Sequence, residues 1–239
     1  MGYEPMNESW QMAGERHETL GQYVAKTYLW MFAGLLVTFG IALAGYVTGA
    51  ILYVFQVPYA TLALTGLELL TVIWLSARIH KLSVGAARGL FLFYAALNGV
   101  VFSMYFLIFG VVEMVFVFAA TALFFGMMAG VSLIFKLDLS GIRPLLVGGL
   151  LFLILFGLLS MFLNLGSFET VLCYAGIVVF LGFTAYDTTK IRDNYQIFSA
   201  DPELLQKASV FSALQLYLDL STVSVSLSPD EPESEIENL

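Results

Sequence analysis

Apolar runs of about 20 residues recur along almost the entire chain, and each is long enough to cross a bilayer core of about 30 Å as an α-helix. The 239 residues are 59% hydrophobic and only 12% charged. A soluble domain carries about 25% charged residues, so this chain has too little charge to cover a surface that faces water. The sequence therefore predicts an all-α, polytopic integral membrane protein.

The apolar runs define seven predicted transmembrane spans that are separated by short connectors. Their approximate limits are residues 24–50, 58–79, 86–109, 111–135, 142–163, 168–189 and 204–227. Gly, Ala and Ser are frequent inside the spans, and small residues let helix backbones approach closely in lipid. We therefore expect one compact seven-helix domain over residues 24–227. A polar, cytoplasmic segment precedes it at 1–23, and an acidic tail at 228–239 is predicted to be disordered.

The basic residues predict the orientation of the chain. All ten Lys and Arg lie in alternate connectors or beside them, namely Arg16, Lys26, Arg78, Lys81, Arg88, Lys136, Arg143, Lys190, Arg192 and Lys207. Cytoplasmic loops of membrane proteins carry the excess of positive charge. The N-terminus is therefore predicted to be cytoplasmic and, with seven spans, the C-terminus to be outside.

Two carboxylates interrupt the apolar runs near the end of the chain. Asp187 stands in FTAYDTTKIR, residues 183–192, at the cytoplasmic end of the sixth span, and Asp219 stands in LQLYLDL, residues 214–220. Asp219 lies 12 residues beyond Lys207, which is roughly 18 Å along a helix and near mid-membrane. A lone ionised carboxylate there costs several kcal/mol, so it must be paired, protonated or hydrated. The alternatives are an interfacial Asp187 that pairs with a basic neighbour and a purely structural Asp219.

The seventh span carries a polar stripe at helical spacing, formed by Ser212, Gln215, Asp219, Thr222 and Ser226. Residues three and four apart share one face of a helix, so this stripe is expected to face the bundle interior or a water-filled cavity. Asp201, Pro202 and Glu203 predict the start of the helix through a capping side chain, a proline in the first turn and an acid near the positive dipole end. The run after Asp219, LSTVSVSLSP, is less apolar than the other spans.

Two further charged residues belong to the second span. Arg78 ends this span on the predicted cytoplasmic side, where it either reaches a carboxylate or anchors the helix at the membrane boundary. Glu68 lies ten residues earlier, about 15 Å deeper in the bilayer. An acid at that depth needs a partner, so Glu68 is a candidate residue of an ion pathway, together with Ser212 and Gln215.

Four segments together resemble the Bax inhibitor-1 family, which is also called the transmembrane Bax inhibitor motif family. They are AALNGVVFSMYF at 95–106, FKLDLSGIRPLLVGGL at 135–150, FLGFTAYDTTKIR at 180–192 and ALQLYLDL at 213–220. The resemblance covers roughly residues 20–220. It implies a seven-helix fold with a central helix surrounded by the other six, and a pH-sensitive calcium leak across the membrane. The chain departs from the family after LYLD, where STVSVSLSPDEPESEIENL replaces an apolar, aromatic run with a basic end.

The resemblance also implies roles for the residues singled out above. In prokaryotic members, the aspartates of the sixth and seventh spans form a hydrogen-bonded pair that senses protons, and Asp187 and Asp219 match those positions. An arginine at the cytoplasmic end of the second span latches the pair, and Arg78 occupies the similar place. The glutamate within that span corresponds to Glu68.

A hypothetical mechanism follows from the chemistry of paired carboxylates, which do not ionise independently of one another. Ionised Asp187 would attract Arg78 and hold the second and sixth spans together, whereas protonation would weaken this attraction and favour opening. Acid is therefore expected to raise the flux. Calcium suits such a path because it prefers oxygen ligands, and weak, transient binding at Asp187 and Asp219 is sufficient for permeation. No resident metal or other cofactor is expected.

Three other functions are compatible with the same residues. An intramembrane aspartyl protease also uses two aspartates on neighbouring spans, but it carries GxGD where this chain has LYLD, so we do not expect an enzyme. A non-conducting regulator would bind membrane proteases or cell-death and stress proteins, and a proton-coupled cation exchanger would use the same carboxylates. The expected partners are the lipid bilayer, calcium ions and protons, without nucleic acid because there is no basic patch. The expected location is a prokaryotic plasma (inner) membrane.

Overall fold

The structure is a computed structural model that describes residues 18–78, 81–135, 139–163 and 166–226. Throughout these ranges the regular structure is helical. The eight α-helices are α1 (Leu20–Thr48), α2 (Ala50–Gln56), α3 (Ala60–Arg78), α4 (Val84–Phe109), α5 (Val111–Phe135), α6 (Arg143–Leu163), α7 (Gly166–Phe198) and α8 (Pro202–Ser226). A 3₁₀ turn, Ser140–Ile142, precedes α6. Most of the predicted N-terminal segment and the whole predicted C-terminal tail lie outside the described residues.

The long helices overlap the predicted apolar runs, and α2 is an additional short helix. Three segments of the described chain are long and apolar enough to cross a membrane: Leu20–Val47, Val84–Phe109 and Val171–Phe198. Two shorter apolar stretches, Val111–Met127 in α5 and Arg143–Gly157 in α6, accompany them. The all-α prediction is therefore confirmed for the described residues.

Several helix ends differ from the predicted limits because polar contacts, which hydropathy does not register, determine them. Helix α1 begins before Val24: the Thr19 hydroxyl accepts a hydrogen bond from the Gln22 backbone N–H, and the Gln22 side chain accepts one from the Thr19 N–H. Gly49 ends α1 at φ 68°, a left-handed conformation that glycine adopts without strain.

The hairpin of α7 and α8 extends further than the apolar run predicted. Helix α7 continues to Phe198, nine residues beyond the predicted limit of 189, and its Tyr195 hydroxyl donates to the Glu18 carbonyl oxygen at 2.7 Å. The predicted start of α8 is confirmed, since Asp201 Oδ1 accepts from the backbone N–H groups of Glu203 at 2.9 Å and Leu204 at 3.1 Å. The two helices therefore run antiparallel from a turn at residues 199–201.

Helices α1 and α4 approach closely through small residues, as the composition of the spans predicts. A Cβ atom built at Gly99 of α4 would lie 2.8 Å from the Thr38 carbonyl oxygen of α1. In the other direction, a Cβ atom at Gly34 of α1 would lie 2.5 Å from the Phe91 ring of α4. The α1–α4 pair forms a close-packed support for the last two helices.

Helix α8 packs against α1, α4, α5 and α7. Its Tyr217 ring is fully buried and meets the Phe91 and Tyr94 rings edge-on, at centroid distances of 5.7 and 5.9 Å. The Tyr217 hydroxyl also lies 2.5 Å from the Thr38 hydroxyl of α1. Tyr217 thus fixes the rotation of α8, and with it the direction in which Asp219 points, two residues further along.

Candidate functional site

The structure brings Asp187 and Asp219 together between the antiparallel helices α7 and α8. Asp187 is 7% exposed and Asp219 is 6% exposed. Asp219 Oδ2 accepts a hydrogen bond of 3.5 Å from the hydroxyl of Thr184, which lies one turn before Asp187 on α7. The two carboxylates interact electrostatically. Asp187 is thus a buried residue of α7.

Thr184, not the other carboxyl group, is the hydrogen-bond partner of Asp219 among the described residues. The Thr184 hydroxyl also donates to the Phe180 carbonyl oxygen at 2.9 Å, so its single hydrogen is shared between two acceptors. A protonated Asp219 could donate to the Thr184 oxygen instead. The Thr184 hydroxyl can therefore form a hydrogen bond with Asp219 whether the carboxyl group is ionised or protonated.

Lys190 and Arg143 supply the positive charge that acts on Asp187. Lys190 follows Asp187 by nearly one turn of α7. Arg143 is the first residue of α6, and the packing of α6 on α7 explains its position. Leu146 of α6 lies against Gly182, where a Cβ atom would be 2.5 Å from its Cδ2. In this antiparallel register, the helix turn that precedes Leu146 lies beside the turn that follows Gly182.

Arg78 is not brought to the carboxylate pair. Its side chain is exposed at the end of α3 and borders a surface groove with Trp74 and Leu90. It makes no ion pair with any residue in the described ranges. The latch role that the resemblance implies for Arg78 stays a prediction, and in this arrangement Arg143 is the arginine that acts on Asp187.

Glu68 lies on the side of α8 away from the pair. It is partly buried, and its Oε1 atom is enclosed without a hydrogen-bond partner among the described residues. Its nearest electrostatic neighbours include Tyr94 and Tyr105 of α4 and Tyr217 of α8. Because Tyr217 and Asp219 point to nearly opposite sides of α8, Glu68 and the aspartate pair do not form one cluster.

Ser212 and Gln215 continue the polar stripe from Asp219 towards the α7–α8 turn. Ser212 is buried and accepts a hydrogen bond of 3.2 Å from the Asn194 amide of α7. Gln215 borders a cavity between α7 and α8. The expectation that this stripe faces the bundle interior is confirmed for Ser212 and Asp219, which are both buried against α7.

Helix α1 contributes hydroxyl groups that the sequence did not single out. The Thr27 and Ser209 hydroxyls are 3.0 Å apart, and the Tyr28 and Thr188 hydroxyls are 3.2 Å apart. Each joins α1 to the α7–α8 hairpin, and Thr188 directly follows Asp187 in the chain. A threonine in an apolar span usually donates its hydroxyl to the backbone of its own helix. The local sequence therefore does not reveal which hydroxyl groups also contact a neighbouring helix.

The arrangement can exchange protons and attract a cation weakly. Within the described part of the chain, no three His, Cys, Asp or Glu residues gather in the way that a tight metal site requires. Two buried carboxylates, one threonine hydroxyl and two nearby cations instead form a group whose net charge, and so its attraction for a cation, depends on how many protons the carboxylates hold.

Comparison with known proteins gives a consistent result. The family model described as "Inhibitor of apoptosis-promoting Bax1" matches residues 20–227. The chain is 36% identical over 202 residues to the inner membrane protein YbhL of Escherichia coli (strain K12), covering 84% of this chain and 86% of that protein. It is 33% identical over 217 residues to an uncharacterized protein of Deinococcus radiodurans, covering 89% and 92% of the two chains. It is 32% identical over 212 residues to an uncharacterized protein of Chlamydia muridarum, covering 84% and 86%.

Proposed function

This integral membrane protein belongs to the Bax inhibitor-1 family, and from that membership we propose that it is a pH-sensitive calcium leak channel of a prokaryotic plasma membrane. The observation that carries the proposal is the buried pair of Asp187 and Asp219, which interact electrostatically between α7 and α8 and of which Asp219 accepts a hydrogen bond from Thr184. Ionisable residues in membrane helices are costly, and they mark ion and proton pathways. The similarity to an inner membrane protein supports the proposed location.

The proposed topology has seven membrane-crossing helices, α1 and α3–α8, with α8 at the centre. In this arrangement the α7–α8 turn and the N-terminus are cytoplasmic and the C-terminus is outside. The alternation of basic and non-basic connectors supports it. The packing of α8 against four other helices supports its central position.

Gating in this proposal depends on the charge of Asp187. Ionised Asp187 attracts Arg143 at the start of α6 and Lys190 on α7, which stabilises the packing of α6 on α7 beside the pair. Protonation removes this attraction, so the helices separate more readily. Acid therefore raises the flux. Arg143 takes the role of the latch in this scheme, while the role of Arg78 stays a prediction from the resemblance.

Calcium is the transported ion in the proposal because carboxylate and hydroxyl oxygens are its preferred ligands. A conduction path needs contacts that are favourable enough for entry and weak enough for release. The two aspartates and Thr184 provide such oxygens without the six to eight ligands of a tight calcium site.

Calcium flux into liposomes that contain the purified chain, measured at several pH values, tests the proposal. We expect a leak that rises with acid, and we expect Asp187→Asn and Asp219→Asn to lose this pH dependence. Asp193→Asn is the matched control, because Asp193 is exposed on the same helix and its substitution should leave the response unchanged.

The other outcomes separate the alternative functions. A calcium flux that does not depend on pH would be consistent with a channel but would refute the role of the aspartates as its pH sensor. A proton current at a fixed ratio to the calcium flux would indicate an exchanger. No flux above that of empty liposomes, with folded protein, would refute the channel and favour the non-conducting regulator.

A further inference from the structure

A second polar feature of the α7–α8 hairpin is a cavity of about 180 Å³ nearer its turn. Four of its lining residues are polar, namely Lys190 and Asn194 of α7 and Lys207 and Gln215 of α8. Rings of Phe198 and Phe211 form part of its apolar wall. At about 30 Å³ per water molecule, this volume equals about six waters. It is open on one side and cannot enclose a large ligand.

The positive charge of the cavity is only partly balanced. Lys190 makes no ion pair with a described residue, and its Nζ lies 5.6 Å from the centroid of the Tyr186 ring. Asp187 attracts it from the side of the carboxylate pair. Lys207 is 8% exposed and pairs with Glu203 at 2.8 Å, but the Glu203 side chain is 65% exposed. Two partly enclosed lysines thus share one buried carboxylate and one carboxylate at the surface.

We propose that this cavity binds the phosphate headgroup of an anionic phospholipid. Two ammonium groups and two side-chain amides supply donors for phosphate oxygens. The Phe198 and Phe211 rings offer an apolar wall for the glycerol backbone and the first carbons of the acyl chains. In the proposed topology, on which this argument rests, the turn end of the hairpin is cytoplasmic, and basic pockets between membrane helices on that side are suited to acidic headgroups.

The depth of the cavity favours a lipid over a soluble anion. The turn at Ser199–Asp201 is polar and belongs outside the hydrocarbon. Lys190 precedes Ser199 by nine residues and Lys207 follows Asp201 by six, which places them about 14 and 9 Å along their helices from the turn. Their flexible stems can carry the ammonium groups towards the interface, where lipid phosphates lie. The exposed side chain of Ile197 adds apolar surface near the cavity.

The test is the binding of dioleoyl phosphatidylglycerol to the full chain in detergent, measured by native mass spectrometry beside dioleoyl phosphatidylcholine. We expect the anionic lipid to bind preferentially, and Lys190→Gln/Lys207→Gln to weaken its binding about tenfold or more. The control Arg78→Gln/Lys81→Gln removes two exposed cations and should change binding less than about twofold. Lys190→Arg/Lys207→Arg keeps both charges and should retain binding, which separates lost charge from misfolding.

Three results would overturn the proposal. Equal binding of the two lipids would show that the headgroup charge is not recognised. An equal loss of lipid binding in Lys190→Gln/Lys207→Gln and in Arg78→Gln/Lys81→Gln would indicate a general attraction between the lipid and basic residues, not a specific site. Displacement of the anionic lipid by millimolar inorganic phosphate would identify a soluble anion as the ligand. Because the readout is binding, its failure is independent of whether the chain conducts calcium.

Discussion

Substitution of Gly99 by alanine tests the close contact on which the placement of the last helices depends. A Cβ atom at this position would lie 2.8 Å from the Thr38 carbonyl oxygen and 2.9 Å from Ile41 Cβ, both on α1. A backbone oxygen cannot rotate away as a flexible side chain can. The Thr38 hydroxyl also bonds to the Ala95 carbonyl of α4 at 2.9 Å, so separation of the helices would strain this bond.

The expected cost follows from a comparison with Gly89 of the same helix, which has no atom within 4 Å of a Cβ built on it. Both Gly→Ala changes bring the same gain in helix propensity, about 1 kcal/mol at most. Overpacking costs typically about 1–3 kcal/mol, and only Gly99→Ala incurs it. The two variants should therefore differ in free energy of unfolding by about 1–3 kcal/mol, with Gly89→Ala neutral or more stable than wild type.

Reversible unfolding in mixed micelles, titrated with a denaturing detergent and followed by tryptophan fluorescence, measures this difference. Trp30 on α1 contributes to this signal and is sensitive to the packing of this helix. Equal stability of the two variants would refute the reasoning, because it would mean that α1 and α4 do not cross at Gly99 in the folded protein.

The remaining predictions concern one buried hydroxyl and two arginines. Tyr217→Phe should lower the free energy of unfolding by about 1 kcal/mol in the same titration. The cost is small because Thr38 keeps its carbonyl partners, and a loss above about 3 kcal/mol would contradict this role. Arg143→Gln should raise calcium flux at neutral pH and flatten the pH response in liposomes, because Asp187 loses a counter-charge. Arg78→Gln should leave the calcium flux at neutral pH and its pH response unchanged. A larger effect of Arg78→Gln than of Arg143→Gln would identify Arg78 as the latch.

Hydropathy located the helices well because residues that face lipid must be apolar whatever the tertiary structure. It failed where a helix leaves the apolar environment. Helix α7 continues to Phe198 through TTKIRDNYQIF. This segment is too polar to be recognised as part of an apolar run, although it is helical. The short helix α2, which follows the left-handed Gly49 at the predicted end of the first span, was not predicted, because its 7 residues are too few to cross a bilayer.

The carboxylates of the candidate site were predictable, whereas most of their surroundings were not. Asp187 and Asp219 are conspicuous because few ionisable residues interrupt the apolar runs. The contact of Thr27 with Ser209 joins residues 182 positions apart, and neither residue has a distinctive local pattern. Arg143 has the sequence context of a boundary cation, and only the register of α6 on α7 places it near Asp187.

The polar end of α8 is explained by what surrounds the helix. Lipid selects for apolar side chains only where they face it, and α8 is packed against four other helices. After Asp219, Leu220 and Val223 are buried, and the Ser221 and Thr222 hydroxyls donate to the Leu218 carbonyl at 3.0 and 2.9 Å. These hydroxyls are therefore satisfied within their own helix and need no water. A weakly apolar sequence is thus compatible with an enclosed helix, and this enclosure buries Asp219, as its proposed role in proton sensing requires.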